Sequence, residues 1–302
     1  MIFSRRISVN ILDLYFDEPI PLGMKPDIIR YNQWSMPVGG AECQPFSTIV
    51  LDLTRSQDEL LSAIRSHTRR KLRRAEKDKL VCEWSNGGNL DIVRMVADHF
   101  DRCGQLKNLV KASRPRLLTL ASSGALDISY VRGREGEILS AISYLRMQGR
   151  ARALYAAAAF RGTKDLTRRA AIGRANRYLV WQDILRLKKA GVRILDFGGY
   201  YTGSEDQEKL RINTFKKEFG GVVLHEYNCR VAVTLTGIAA LSAIEARNLW
   251  QLRRRAAMAV TGGEQRTHET SVPASWPLSL VRESLDRITN TRSHRIAGLP
   301  PK

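Results

Sequence analysis

Two short segments carry the residue types that could do chemistry. The run 194–199 reads ILDFGG, and 210–221 reads LRINTFKKEFGG. In the first, a buried strand ends at Asp196, and Gly198 and Gly199 let the backbone turn sharply or come close to a ligand. In the second, Ile212, Phe215 and Phe219 recur at helical spacing with Lys216 beside them, and Gly220 stands where a left-handed helix end favours glycine. Ser204 and Gln207 have the spacing of a capping box for this helix. On spacing alone the plainer reading prevails, with Phe215 and Phe219 as core residues and Lys216 as a solvated charge.

A third feature is cationic. At about 100° per residue along 59–79, Leu61, Ile64, Thr68, Leu72 and Ala75 share one side, while Arg65, Arg69, Arg70, Arg73, Arg74 and Lys77 cover the other. Such a face is either solvated or follows the phosphates of tRNA or of an anionic precursor. Few aromatics interleave with the charges, so stacking on single-stranded bases is not indicated.

The whole chain has the same bias. Its 302 residues hold 49 Lys+Arg against 30 Asp+Glu, a net charge of +19 that favours nucleic acid, anionic lipid, nucleotide-linked precursors or coenzyme A as partners. A hydrophobic content of 43% is enough for a sizeable core. There is no GxGxxG, Walker loop, HExxH or GxSxG, and the five histidines lack ligand spacing, so no metal site is expected. The four cysteines form no CxxC pair, which suggests neither zinc nor a disulfide framework and fits a reducing compartment. The opening residues make a poor signal peptide, and the longest uncharged run, Val231 to Ile244, is shorter than the ~20 residues of a membrane span. The expectation is a cytoplasmic protein, with peripheral contact at the inner face of the cell membrane left open.

These segments need elements to position them. Residues 1–46 are rich in Pro and Gly and read as irregular chain. A strand at 48–53 and a long helix over 59–79 follow, then helices over 90–102 and 106–122, the latter starting late or kinking at Pro115. Strand patterns over 126–131, 138–147 and 151–160 form a meander. After it come a helix over 176–190, a strand over 192–197, a helix over 205–219 and a strand over 222–233. The expected division is 1–46 irregular, 47–122 a basic N-terminal part, 123–235 the core, 236–260 a helix, and 261–302 a disordered tail with a short helix around Leu278 to Ile288. The fold class is mixed α/β, without a doubly wound repeat.

This element order resembles the GNAT (Gcn5-related acetyltransferase) fold. The strand ending DFGG, the helix with FKKEFGG and the preceding segment 176–191 (NRYLVWQDILRLKKAG) look like the C-terminal signature of FemAB-type peptidoglycan aminoacyltransferases and of BioF2-like relatives. A looser similarity covers 51–60 and 69–77, and the whole resemblance spans about Leu51 to Arg230. It implies a GNAT-like mixed sheet flanked by helices, one complete acetyltransferase-like domain with a truncated N-terminal half. It implies acyl transfer from aminoacyl-tRNA or acyl-CoA, with no tightly bound cofactor, to an amine of a cell-wall or surface-polysaccharide precursor. Lys216 would be catalytic, stabilising the oxyanion, with Phe215, Asp196, Gly198 and Gly199 shaping the pocket and Arg69, Arg73 and Arg74 binding substrate. Asp196, Tyr200, Tyr201 and Glu218 are the candidate bases. The segment 168–175 (RRAAIGRA) departs from the usual pyrophosphate-binding glycine spacing, which weakens the coenzyme A reading. The alternatives are a CoA-dependent N-acetyltransferase of exopolysaccharide synthesis and a basic binding protein without activity.

Overall fold

The computed structural model describes residues 1–6, 8–105, 112–160 and 163–261. Its strands are β1 (Ile2–Arg6), β2 (Val9–Tyr15), β3 (Ile28–Trp34), β4 (Glu42–Asp52), β5 (Cys82–Ser85), β6 (Leu126–Arg132), β7 (Ile138–Met147), β8 (Arg150–Ala158), β9 (Ile194–Gly199) and β10 (Val222–Ala232). The helices are α1 (Gln57–Ala63), α2 (Ser66–Lys77), α3 (Leu90–Gln105), α4 (Arg114–Ser122), α5 (Leu166–Lys189), α6 (Gln207–Lys217) and α7 (Leu235–Thr261). All ten strands join one mixed sheet in the order β1-β2-β3-β10-β4-β9-β8-β7-β6-β5. This is a mixed α/β sheet flanked by helices.

Strand alternation sorts the side chains onto two faces. On one face Ile142, Tyr144, Ala151 and Leu195 pack with Leu60 of α1, Leu72 of α2 and the α5 residues Leu179, Ile184 and Leu187. On the other, Leu126, Ile128, Ala141 and Leu145 pack with Val93, Val96 and Phe100 of α3 and with Leu117 and Leu120 of α4. The strands β6 and β7 are therefore covered on both sides.

Several expectations are corrected. The stretch 1–46 is not irregular: it holds β1, β2, β3 and the start of β4. Pro and Gly cluster in its turns, while Leu12, Leu14, Ile29 and Tyr31 form a small buried cluster of their own. The helix over 59–79 is two helices. Ile64 takes an extended conformation (ψ 134°), and the Arg65 N–H donates to the carbonyl of Glu218, at the C-cap of α6, so the turn leaves the helical path. The cap of α6 is Asp206, whose carboxylate accepts from the N–H groups of Glu208 and Lys209, and not the Ser204–Gln207 box. The helix α5 starts ten residues before 176, capped by Asp165. The helix with Pro115 does start late: Ser113 caps it, and Pro115 sits in its first turn.

The cysteine expectation fails at one pair. Cys43 and Cys229 form a disulfide. They are directly opposite each other in the antiparallel pairing of β4 with β10, a proximity that a separation of 186 residues hides from any spacing rule. Cys82 and Cys103 are free. Among the described residues no helix is long and apolar enough to cross a membrane, and no group of three or more His, Cys, Asp or Glu could hold a metal ion. The tail expected from Thr261 onward, with its short helix, lies outside the described residues beyond Thr261 itself, the last residue of α7.

Candidate functional site

The parallel strands β8 and β9 pair only at Arg150↔Ile194, Ala151↔Leu195 and Arg152↔Asp196. Beyond that point β8 runs on to Ala158 beside β7, whereas β9 pairs with β4 through Thr48↔Gly199. The two strands therefore part just after Asp196. Gly198 sits at the parting with a left-handed φ of 75°, and a Cβ there would lie 2.9 Å from the Ala153 carbonyl oxygen, so only glycine fits.

Lys216 reaches this point from α6. Its Nζ donates to the carbonyls of Gly198 (3.0 Å) and Gly199, which occupies two of its three protons and leaves one to aim elsewhere. Burial lowers its pKa to about 8; the Asp196 charge opposes that shift, and the Arg152 guanidinium adds to it. The pair of glycines and the lysine, legible as separate motifs, are thus one unit.

Asp196 plays a different part from a pocket floor or a base. It is fully buried, and its carboxylate accepts from Gln33 Nε2 (2.7 Å), Thr48 Oγ1, Arg150 Nε (3.1 Å) and Nη2, and the Gly198 N–H (2.7 Å). With every lone pair engaged, it fixes the turn that presents the two carbonyls to Lys216. Arg150 also donates to Glu226, as does Gln33 Nε2 (2.8 Å). Gln33 holds this place with a left-handed φ of 54°, an uncommon conformation for a non-glycine residue, and its buried Oε1 has no partner.

The other predicted site residues separate. Phe215 is half-buried and packs edge-on against the buried Phe219, with the Arg177 guanidinium 5.1 Å from its ring centroid. It braces α6 against the core. Glu218 is tied up in the structure: Thr68 Oγ1 (2.8 Å) and Arg177 donate to it, His67 lies at 3.2 Å, and despite its burial these partners hold its carboxyl below the usual range. Tyr201 Oη accepts from the Asp206 N–H, and Tyr200 Oη accepts from Lys217 Nζ at 3.2 Å.

On α2, Thr68, Leu72 and Ala75 face inward as the spacing requires. Arg69 caps the end of α1, where its Nη1 donates to the carbonyls of Ser62 (2.7 Å) and Ile64 (2.6 Å). Arg73 and Arg74 stay exposed, Arg74 beside Asp78 at 3.5 Å. The segment 168–175 lies inside α5, where Gly173 packs near the Phe160 ring. One of the first free N–H groups of α5, that of Thr167, donates to the Asp165 carboxylate, which puts a negative charge where a pyrophosphate would have to sit.

Sequence reasoning missed Arg150, Arg152, Glu226, Gln33 and Thr48. One signal was available for the arginines. In the apolar run 150–160 (RARALYAAAAF) they stand two apart, which on a strand puts both on one face.

No known protein family matches the chain, and no curated protein matches its sequence. Among solved structures it is similar to FemX, at 14% identity and a TM-score of 0.49, with 61% of each chain covered. It is also similar to the C-terminal domain (DUF2156) of a putative lysylphosphatidylglycerol synthetase from Agrobacterium fabrum, at 16% identity and a TM-score of 0.46 over 71% of this chain and 70% of that one. A third likeness is to a tandem GNAT protein from the clavulanic acid biosynthesis pathway, at 15% identity and a TM-score of 0.35 over 68% and 63%. The chain thus spans about 61% of the length of FemX. Likenesses this distant concern the fold and carry nothing about donor or acceptor.

Proposed function

We propose that the chain is an acyltransferase that moves an aminoacyl or acyl group from an activated ester or thioester to an amine of a cell-wall or surface-polysaccharide precursor. The observation that carries this reading is Lys216, a half-buried ammonium held on the carbonyls of Gly198 and Gly199 where β8 and β9 part. The resemblance of 176–221 to FemAB-type proteins supports the acceptor class.

In the proposed reaction the acceptor nitrogen attacks the acyl carbonyl carbon. A C–N bond forms, the C–O or C–S bond to the donor breaks, and the proton the nitrogen loses ends on the leaving oxygen or sulfur. Negative charge builds on the acyl oxygen, and the third proton of Lys216 stabilises it there. A fixed donor aimed at such an oxygen is worth about 10²- to 10³-fold in rate. The misfit of a pyrophosphate at the start of α5 favours aminoacyl-tRNA over acyl-CoA as donor. Arg73 and Arg74 would attract that polyanion, and reversing both charges should weaken donor binding and flatten its salt dependence, as a filter-binding titration would read. Binding that is independent of salt would remove α2 from the site.

Incubating the protein separately with charged tRNA and with acyl-CoA identifies the donor consumed. With that donor, Lys216→Ala should lower kcat by about two orders of magnitude or more while the fold is retained. Unchanged transfer would overturn the role given to Lys216. A second reading has its own support, since a lysine with a pKa of about 8 can also take the proton of the attacking amine. The pH profile separates them: kcat falls above about pH 8 if the ammonium is required and rises toward it if the free amine is.

A further inference from the structure

Arg152 is a half-buried charge on this sheet face that the reading above leaves without work. It stands on β8 opposite Asp196, yet that carboxylate is already filled by Arg150, Gln33, Thr48 and the Gly198 N–H. Among the described residues Arg152 makes no hydrogen bond and no ion pair, and its Nε is buried without a partner. Its guanidinium carbon lies 5.1 Å from the centroid of Phe46. The same Phe46 ring lies 3.8 Å from where a Cβ on Gly199 would sit, and Gly199 is one of the two residues whose carbonyls hold Lys216. Phe46 therefore lies between the Arg152 guanidinium and the turn whose carbonyls hold Lys216, near the parting of β8 and β9.

A desolvated guanidinium with no counter-charge is costly, and nearby carboxylates would normally be recruited to it. Here Asp196 and Glu226 both make their ion pairs with Arg150, so Arg152 and Lys216 have no carboxylate in contact, and Arg150, Arg152 and Lys216 outnumber the two carboxylates by one charge, with the Arg116 charge also reaching Arg152. The repulsion is felt: the Arg152 charge helps to lower the Lys216 pKa, and burial lowers that of Arg152 itself. A planar guanidinium lying against an aromatic ring keeps its N–H edge available for two oxygens, the geometry that suits carboxylate and phosphate.

We propose that Arg152 binds an oxyanion of the acceptor, a carboxylate or a phosphate, beside Phe46 near the parting of β8 and β9, within reach of the Lys216 charge, while the third proton of Lys216 stays with the acyl oxygen. Assigning this anion to the acceptor rests on the acyl-transfer reading; the site itself does not. Arg152 would thereby select acceptors that carry the anion near the reacting amine.

The test reads binding and needs no turnover. The full chain, labelled with 13C-lysine, is titrated with inorganic phosphate and, separately, with acetate, against sodium chloride at equal ionic strength, and the Lys216 pKa is followed by NMR. A bound anion adds attraction for the ammonium, so the pKa should rise saturably with one or both anions and not with chloride. The anion that acts at lower concentration identifies the source. Arg152→Gln should raise the Lys216 pKa before any anion is added and weaken the anion effect by about tenfold or more. Arg152→Lys, which keeps the charge and loses the fork, should retain part of it. Circular dichroism melts report whether each variant is folded. The proposal is overturned if neither anion shifts Lys216 saturably, or if the shift is the same in folded Arg152→Gln. If Lys216→Ala leaves acyl transfer intact while wild-type protein still shows the anion effect, the functional reading fails and the anion site stands.

Discussion

Arg150 and Arg152 are two residues apart on β8 and point to the same face of the sheet, yet they live in opposite electrostatic circumstances. Arg150 is clamped between Asp196 and Glu226. Arg152 has neither, and lies instead over Phe46. Glu226 and Phe46 are directly opposite each other on β10 and β4, so the two arginines meet the two members of one cross-strand pair. The difference teaches how to read buried charge in this fold. Where a cation is held between carboxylates, as Arg150 is, the network positions backbone; where cations have no carboxylate in contact, as at Arg152 and Lys216, the opening can receive a negative group from elsewhere.

The sharpest way to break the comparison is to remove each arginine in turn. Arg150→Met leaves two buried carboxylates without their cation and should destabilise the fold by about 3–5 kcal/mol in urea denaturation. Arg152→Met removes a buried unpaired donor and should cost less than about 1 kcal/mol, or stabilise. Equal losses would show that Arg152 is structural after all.

A somewhat smaller effect is expected from the disulfide that ties together the two strands carrying Phe46 and Glu226. Cys43 and Cys229 close a sequence separation of 186 residues, and reducing such a bond should cost roughly 2–5 kcal/mol. Denaturation with and without dithiothreitol measures it. If the loss falls on the Arg150 network, Arg150→Met should cost less in reduced protein than in oxidised protein.

The last effect concerns a buried carboxylate whose hydrogen-bond partners are all neutral donors. Asp183 accepts from Trp84 Nε1 (2.9 Å), Ser129 Oγ (2.6 Å) and Tyr144 Oη (2.8 Å), and burial raises its pKa to about 6. Because the folded pKa lies above the ordinary value of 3.8, the folded state holds the proton more tightly than the unfolded state. The stability from Asp183 is therefore full below about pH 3.8 and is lost as pH rises through about 6. Asp183→Asn should remove that part of the pH dependence, seen as a flatter profile of unfolding free energy between those limits. An unchanged profile would place the proton on another group.

Much of this protein was determined by its sequence alone. Periodicity placed the meander, and in α2 it sorted Thr68, Leu72 and Ala75 inward and Arg73 and Arg74 outward, because a helix or strand repeats every few residues and its faces are readable over short spans. The adjacency of Asp196, Gly198 and Gly199, and the helix that bears Lys216, were legible for the same reason. Short-range rules failed at 1–46, where turn residues masked strands whose partners lie far along the chain: β3 completes its pairing with β10, about two hundred residues away. They failed again at Cys43 and Cys229, at the second carboxylate of Arg150, and at the lack of one for Arg152. Only the tertiary structure decided those, because a buried charge is defined by what the rest of the chain brings within a few ångströms of it, and sheet order brings residues together without regard to their distance in sequence.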